Sequence, residues 1–141
     1  MKRIRLGLVV SNFNREITAK MEKTAENAAK KLGTKIIKKI HVPGAFEIPF
    51  AANKLFRDKK VDAVVALGAV IQGETEHDII IMGSVSGKLM DISLKYDKPL
   101  GFGIIGPRVT WQQAEARAAE YAKRAVEAAV ELIKIEKLKV I

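Results

Sequence analysis

Cysteine is absent from the 141 residues, which excludes a disulfide framework and thiolate chemistry. Two histidines without cysteine are too few ligands for a structural zinc site, and no metal site is expected. No run of ~20 apolar residues occurs, so no membrane span is expected. The opening Met1-Lys2-Arg3-Ile4-Arg5 lacks the apolar stretch and cleavage site of a secretory signal, and a cytoplasmic location is expected. No linker, repeat or low-complexity stretch interrupts the chain, so residues 1–141 are read as a single domain.

Positive charge is plentiful. Lysine and arginine number 25 against 16 acidic residues, a formal net charge of +9. The cations gather at Lys30, Lys31, Lys35, Lys38, Lys39 and again at Arg57, Lys59, Lys60. Those positions fall at helix ends and around a short strand, where lysine is an ordinary solvating residue. No aromatic residues are interleaved for base stacking and no recognition helix appears, so nucleic acid is not the expected partner. A basic surface that attracts small phosphorylated anions accounts for the charge equally well. Abundant lysine and glutamate without cysteine also suit a thermophile. Apolar residues make up 48% and charged residues 29%, the balance of a globular protein with a buried core.

Strand-like and helix-like segments alternate four times. Ile4–Val10 is an apolar run. Asn14–Leu32 has helical spacing, with Met21, Ala25, Ala28, Ala29 and Leu32 on one face and Gly33 as a stop. Lys35–Val42 alternates isoleucines with lysines, Pro43-Gly44 breaks it, and Glu47–Arg57 reads as a second helix. Asp62–Ile71 fits a strand buried on both faces. A third helix is expected over Asp78–Tyr96, a fourth strand over Pro99–Ile105 and a long helix from Thr110, with Ala118, Tyr121, Ala122, Ala125, Val126, Ala129 and Ile133 as its apolar stripe. Strands separated by such helices imply right-handed crossovers and a parallel sheet. The expected fold is a flavodoxin-like α/β sandwich with four strands in the order 2-1-3-4 and helices on both faces. The apolar tail Leu138-Lys139-Val140-Ile141 is left to pack on a neighbour or to fray.

In such a fold the loops after each strand converge on one edge, where ligands bind. In Ser11-Asn12-Phe13-Asn14-Arg15, Phe13 either staples the helix start while an asparagine caps it, or stacks on a heteroaromatic ligand. In Val42-Pro43-Gly44-Ala45-Phe46-Glu47-Ile48-Pro49, the N–H groups of Ala45 and Phe46 open a helix start. Glu47 there either complements the helix dipole or accepts hydrogen bonds from ligand hydroxyls. In Gly73-Glu74-Thr75-Glu76-His77-Asp78 a flexible backbone and a hydroxyl suit a phosphate, the carboxylates oppose it unless they point outward, and His77 can exchange protons near neutral pH. After the fourth strand, Thr110 reads as a helix cap. Arg117 lies on the polar side of the last helix, a solvated residue or a phosphate clamp.

Together these loops resemble the lumazine synthase family from Ile4 to about Glu131. The resemblance rests on Ser-x-Phe-Asn at Ser11–Asn14, Val-Pro-Gly-Ala-Phe-Glu-Ile-Pro at Val42–Pro49, and Gly-x-x-Ile-x-Gly-x-Thr-x-His from Gly68 to His77. Lys98-Pro99 and Gln-Ala-x-x-Arg ending at Arg117 follow in order. The chain looks most like the short archaeal form. The resemblance implies condensation of 5-amino-6-(D-ribitylamino)uracil with 3,4-dihydroxy-2-butanone 4-phosphate, giving 6,7-dimethyl-8-ribityllumazine, phosphate and water, with no redox cofactor or metal. It implies that Phe13 stacks on the pyrimidine beside Asn14, that Ala45, Phe46 and Glu47 hold the ribityl chain, and that Ala69, Val70 and Ile71 line the ring edge. Glu74 and Thr75 would meet the phosphate and His77 would move protons. Phe102 and Arg117 would come from a neighbouring subunit of a pentamer or of a sixty-subunit shell. The stretch between Phe102 and Arg117 is slightly longer than the common bacterial pattern and the segment after Arg117 shorter, which leaves Lys123 and Glu127 without an assigned role. A riboflavin synthase on the same fold, or a silent flavin-binding shell protein, is the alternative.

Overall fold

The computed structural model describes residues 3–136; the tail Leu138-Lys139-Val140-Ile141 lies outside them. The elements run β1 (Arg5–Ser11), α1 (Arg15–Lys31), β2 (Lys35–Val42), a 3-10 turn (Ala45–Glu47), α2 (Ile48–Arg57), β3 (Ala63–Ala69), α3 (His77–Tyr96), β4 (Leu100–Ile105) and α4 (Trp111–Glu136). All strand pairs are parallel and the order is β2-β1-β3-β4, the expected α/β flavodoxin-like topology. None of the described helices is long and apolar enough to cross a membrane.

Side chains alternate across a strand with a period of two, and the two central strands divide accordingly. Leu6, Leu8, Val10, Ala63, Val65, Leu67 and Ala69 pack with α1 and α4 on one face, while Val9, Val64 and Ala66 pack with α2 and α3 on the other. Every residue of β3 is buried. The α4 stripe is built from Ala114, Ala118, Ala122, Ala125, Val126, Ala129, Val130 and Ile133, so small side chains let this helix sit close to the sheet.

The differences from the sequence pattern are local. Leu32 does not continue the α1 stripe: it is the residue after the last helical turn and is 43% exposed, its N–H bonded to the carbonyl of Ala28. The third strand stops at Ala69 rather than Ile71, because the chain there leaves β1 and continues beside the β4 loop, with Val70 N–H donating to Ile105 O at 2.8 Å and Gln72 N–H to Val109 O at 2.7 Å. The second helix opens with the 3-10 turn. Thr110 caps α4 as expected: its hydroxyl accepts from Gln113 N–H at 3.1 Å, and Gln113 Oε1 accepts from Thr110 N–H at 2.9 Å, a reciprocal cap.

The edge strand β2 carries two of its three lysines as ion-pair partners rather than as free solvating charges. Lys38 pairs with Asp58, and Lys39 with Glu22 and Glu26 of α1. Burial alone would raise the Glu22 carboxyl, but hydrogen bonds from His41, Lys39 and Arg15 outweigh it and hold the group at about 2 against an ordinary 4.5. A lowered carboxylate stabilises the fold above the unfolded value and loses that contribution as pH falls toward the folded one. Chemical denaturation should therefore show wild-type stability flat above pH 4.5 from this group and falling by up to about 3 kcal/mol toward pH 2. Glu22→Gln should lack that part of the profile, and identical acid profiles would refute the assignment.

Candidate functional site

The order β2-β1-β3-β4 makes the chain turn outward in opposite directions from β1 and β3, and in open parallel sheets the crevice at that switch point is where ligands sit. Here the crevice is a cleft of about 640 Å³ lined by Phe13, Asn14, Gly44, Ala45, Phe46, Glu47, Ala69, Val70, Ile71, His77 and Ile81.

Its first wall is the turn after β1. Asn12 N–H donates to Val42 O at 2.7 Å and Phe13 N–H to Pro43 O at 2.9 Å, so this turn runs along the segment after β2. Asn14 takes a left-handed conformation (φ 60°, ψ 49°), which asparagine tolerates better than most residues. It does not cap α1 with its side chain, as the sequence suggested for an asparagine here. Instead Asn14 Nδ2 donates to Ala69 O at 3.0 Å, tying the first wall to the tip of β3. Phe13 is left 71% exposed, so it does not staple the helix; its ring stands at the mouth of the cleft.

The second wall is the 3-10 turn. Gly44 precedes it in extended backbone, Ala45 is buried, and Phe46 is 63% exposed. The Glu47 carboxylate lies over Gly44: a Cβ added at that glycine would meet Glu47 Oε1 at 3.2 Å. Glycine therefore leaves room for the carboxylate to hang over the cleft. The floor is Ala69, Val70 and Ile71, and the back is the first turn of α3. That helix begins at His77, one residue earlier than its sequence pattern suggested, and His77 N–H donates to Thr75 Oγ1 at 3.3 Å. Ile81, one turn on from His77 and on the same face, joins the lining. Gly44 was read from the sequence only as a turn residue and Ile81 not at all, although the i,i+4 relation of Ile81 to His77 was a usable signal.

The cleft thus combines an exposed aromatic ring, apolar floor residues, a carboxylate and an imidazole, a set suited to a flat polar heterocycle with a hydroxylated arm. Four expected residues are not in its lining. Glu74 and Thr75 lie on the exposed loop that leads into His77. Phe102 lies on the edge strand β4 and helps line a different cleft of about 500 Å³ with Leu100, Tyr121, Arg124, Ala125 and Ala128. Arg117 is exposed on α4 and forms no ion pair among the described residues. Lys123 and Glu127 are exposed further along the same helix, while Tyr121 and Arg124 border the Phe102 cleft.

A buried carboxylate fixes the loop behind the cleft. Asp78 is 4% exposed, and its Oδ2 accepts from Arg108 N–H at 2.9 Å. Arg108 is itself left-handed, so the bond holds the turn after β4 against the start of α3.

Comparison with known proteins identifies the family. The family model described as 6,7-dimethyl-8-ribityllumazine synthase matches residues 3–137. The chain is 50% identical over 131 residues to the 6,7-dimethyl-8-ribityllumazine synthase of Methanocaldococcus jannaschii, covering 93% of this chain and 92% of that one. It is 49% identical over 134 residues to the proteins of the same name from Methanopyrus kandleri and Archaeoglobus fulgidus, covering 95% of this chain and 94% and 93% of theirs. With the family model and these relatives matching nearly the whole sequence, the chain belongs to the 6,7-dimethyl-8-ribityllumazine synthase family, transferases of riboflavin biosynthesis.

Proposed function

We propose that the cleft condenses 5-amino-6-(D-ribitylamino)uracil with 3,4-dihydroxy-2-butanone 4-phosphate, the pyrimidine lying against Phe13 and the ribityl chain along Ala45, Phe46 and Glu47. The observation that carries this reading is the meeting of Phe13, Glu47 and His77, from three separate loops, around one cavity. Stacking on an exposed ring favours a flat heterocycle, and a carboxylate beside it accepts hydrogen bonds from ribityl hydroxyls.

The 5-amino nitrogen attacks the ketone carbon, and loss of water leaves an imine. Proton removal from the adjacent carbon and expulsion of phosphate from the terminal carbon follow. The enol so formed takes a proton at its terminal carbon, which becomes a methyl group, and releases its hydroxyl proton to become a ketone. The ribityl-bearing nitrogen then attacks that new carbonyl, and a second water leaves as the ring closes. Each step moves a proton, and His77 is the group in the lining suited to that work. Amines condense with ketones without strong catalysis, so holding the two reactants together carries much of the rate. His77→Ala should consequently slow turnover by less than ~10²-fold, the lower end of a general acid–base contribution. Complete loss of turnover with folding and pyrimidine binding intact would refute that weighting.

Arg117 and the Glu74–Thr75 loop complete the phosphate end and Phe102 closes the aromatic pocket, with Phe102 and Arg117 supplied by an adjacent copy in a ring. Support comes from α3, whose outer face exposes Ile80, Met90 and Leu94 at 65%, 61% and 74%, with Gly83 and Gly87 between them. That is a stripe repeating every seven residues, the spacing at which helices pack side by side. A pentamer or a shell of sixty copies would bury it. Light scattering on a sizing column separates the two assemblies by their roughly twelvefold mass ratio, and a monomer would sink the shared site.

The reading as a whole is tested by incubating the purified protein with both substrates and following phosphate release together with lumazine fluorescence. Release without the lumazine, or neither signal, would overturn it. The lumazine alone should remain unconverted.

A further inference from the structure

The densest set of charges outside the cleft sits behind its front walls. Glu22 of α1 has a side chain only 10% exposed, and two cations and a histidine converge on it. Its Oε1 accepts from Arg15 Nη2 at 2.8 Å and lies 3.0 Å from His41 Nε2; its Oε2 lies 2.9 Å from Lys39 Nζ. Glu26 shares Lys39. Arg15, Glu22 and Glu26 come from α1; Lys39 and His41 come from β2.

Where these donors sit in the chain matters more than their number. Arg15 is the first residue of α1, directly after Phe13 and Asn14. His41 is next to last in β2, directly before the segment that carries Gly44, Ala45, Phe46 and Glu47. Glu22 therefore grips the anchors of both front walls at once. The backbone bonds from Asn12 and Phe13 to Val42 and Pro43 run along the same seam. A nearly buried carboxylate is costly, and apolar packing commonly replaces such networks with no loss of stability. Stability alone is thus a weak reason for a glutamate here. The bond from Arg15 also runs seven residues along α1, which draws that cation back from the mouth of the cleft.

We propose that Glu22 is a positioning residue for the condensation: by holding Arg15 and His41 together it fixes the Phe13 loop against the 43–47 loop and so sets the slot that receives the pyrimidine. This inference rests on the reading of the cleft given above.

Glu22→Gln keeps the size of the side chain and removes the charge. Steady-state kinetics with each substrate varied in turn should show the KM for the pyrimidine rising about 5–10-fold, with kcat and the KM for the ketose phosphate changed by less than about twofold. Amide hydrogen exchange should quicken at residues 12–15 and 43–47. Glu22→Asp, which restores the charge, should recover part of the affinity. Lys39→Met cuts the arm that anchors neither loop and should lower the melting temperature while leaving the pyrimidine KM unchanged. Should Glu22→Gln fail to accumulate, the double variant Arg15→Met/His41→Asn removes both loop arms, leaves Glu22 its Lys39 partner, and should give the same rise in KM. Unchanged KM and exchange in whichever of the two accumulates, or a Lys39→Met variant indistinguishable from it, would reduce the network to a structural role and overturn the proposal. A wild-type protein that does not condense the substrates would instead overturn the reading of the cleft, and the exchange measurement would still decide whether Glu22 clamps the two loops.

Discussion

Gly101→Ala should destabilise the protein by at least about 3 kcal/mol, the upper range for overpacking a core. A methyl group at Gly101 would overlap the carbonyl oxygen of Ala125 and come within 2.9 Å of its carbon and 3.3 Å of the Ala129 methyl. The obstacle is the backbone of α4, which cannot turn aside as a side chain can, so the whole helix would have to lift from β4. Lifting it would also loosen the contacts of Ala118, Ala122 and Ala125 with the sheet, whose small side chains exist to allow the close approach. Gly103 provides the control. There a methyl would meet Leu67 Cδ2 at 2.7 Å, Ala125 Cβ at 3.0 Å and the Ala66 carbonyl oxygen at 3.2 Å; the nearest obstacle is the end of a side chain and no backbone atom lies under 3 Å, so Gly103→Ala should cost less, about 1–2 kcal/mol. Urea denaturation measures both. A Gly101→Ala variant within 1 kcal/mol of wild type would mean that α4 is free to move, against the packing described. Because β4 carries Phe102 and α4 carries Arg117, the same variant should also weaken the proposed ring.

Much of this fold was legible because burial repeats with the period of each element. The two-sided apolar run of β3 and the alanine stripe of α4 announce their packing, and the breaks at Gly33 and Pro43-Gly44 divide the elements. Leu32 misled because spacing extends a stripe onto the capping residue, where the backbone is already turning out of the helix. Glu22 was missed for the opposite reason: a glutamate among lysines in a helix reads as a solvated face, and only the pairing of β2 with β1 brings His41 and Lys39 to it. The same holds in the site. Phe13, Glu47 and His77 could be picked out because each falls in a loop after a strand, where the parallel sheet gathers its ligand-binding edge. The bond from Asn14 to Ala69 spans 55 residues, and nothing local in the sequence encodes it. Patterns of near neighbours reveal elements; side chain to backbone contacts between distant segments set the walls of the cleft.

Those walls account for only part of the proposed site, and mixing two defective proteins tests the remainder. Phe13→Ala removes the stacking surface and Arg117→Ala removes a charge-assisted grip on phosphate. Each alone should lower kcat/KM by roughly 10–10²-fold, the effect of losing one buried aromatic contact or one ionic hydrogen bond. Arg117→Ala should act chiefly through the KM for the ketose phosphate, and an unchanged value would count against the clamp. In a ring where each cavity takes Phe13 from one protomer and Arg117 from the next, unfolding the two variants together in equal amounts and refolding them changes the outcome. About a quarter of the interfaces then join an intact Phe13 to an intact Arg117, so activity should climb to about a quarter of wild type, far above either parent. If both residues served a cavity within one chain, no mixture could exceed the mean of its parents. Arg117 lies outside the Phe13 cleft within a single chain; in the proposed ring a second copy would bring the two to one substrate pair, and recovery on mixing is the result expected of that ring.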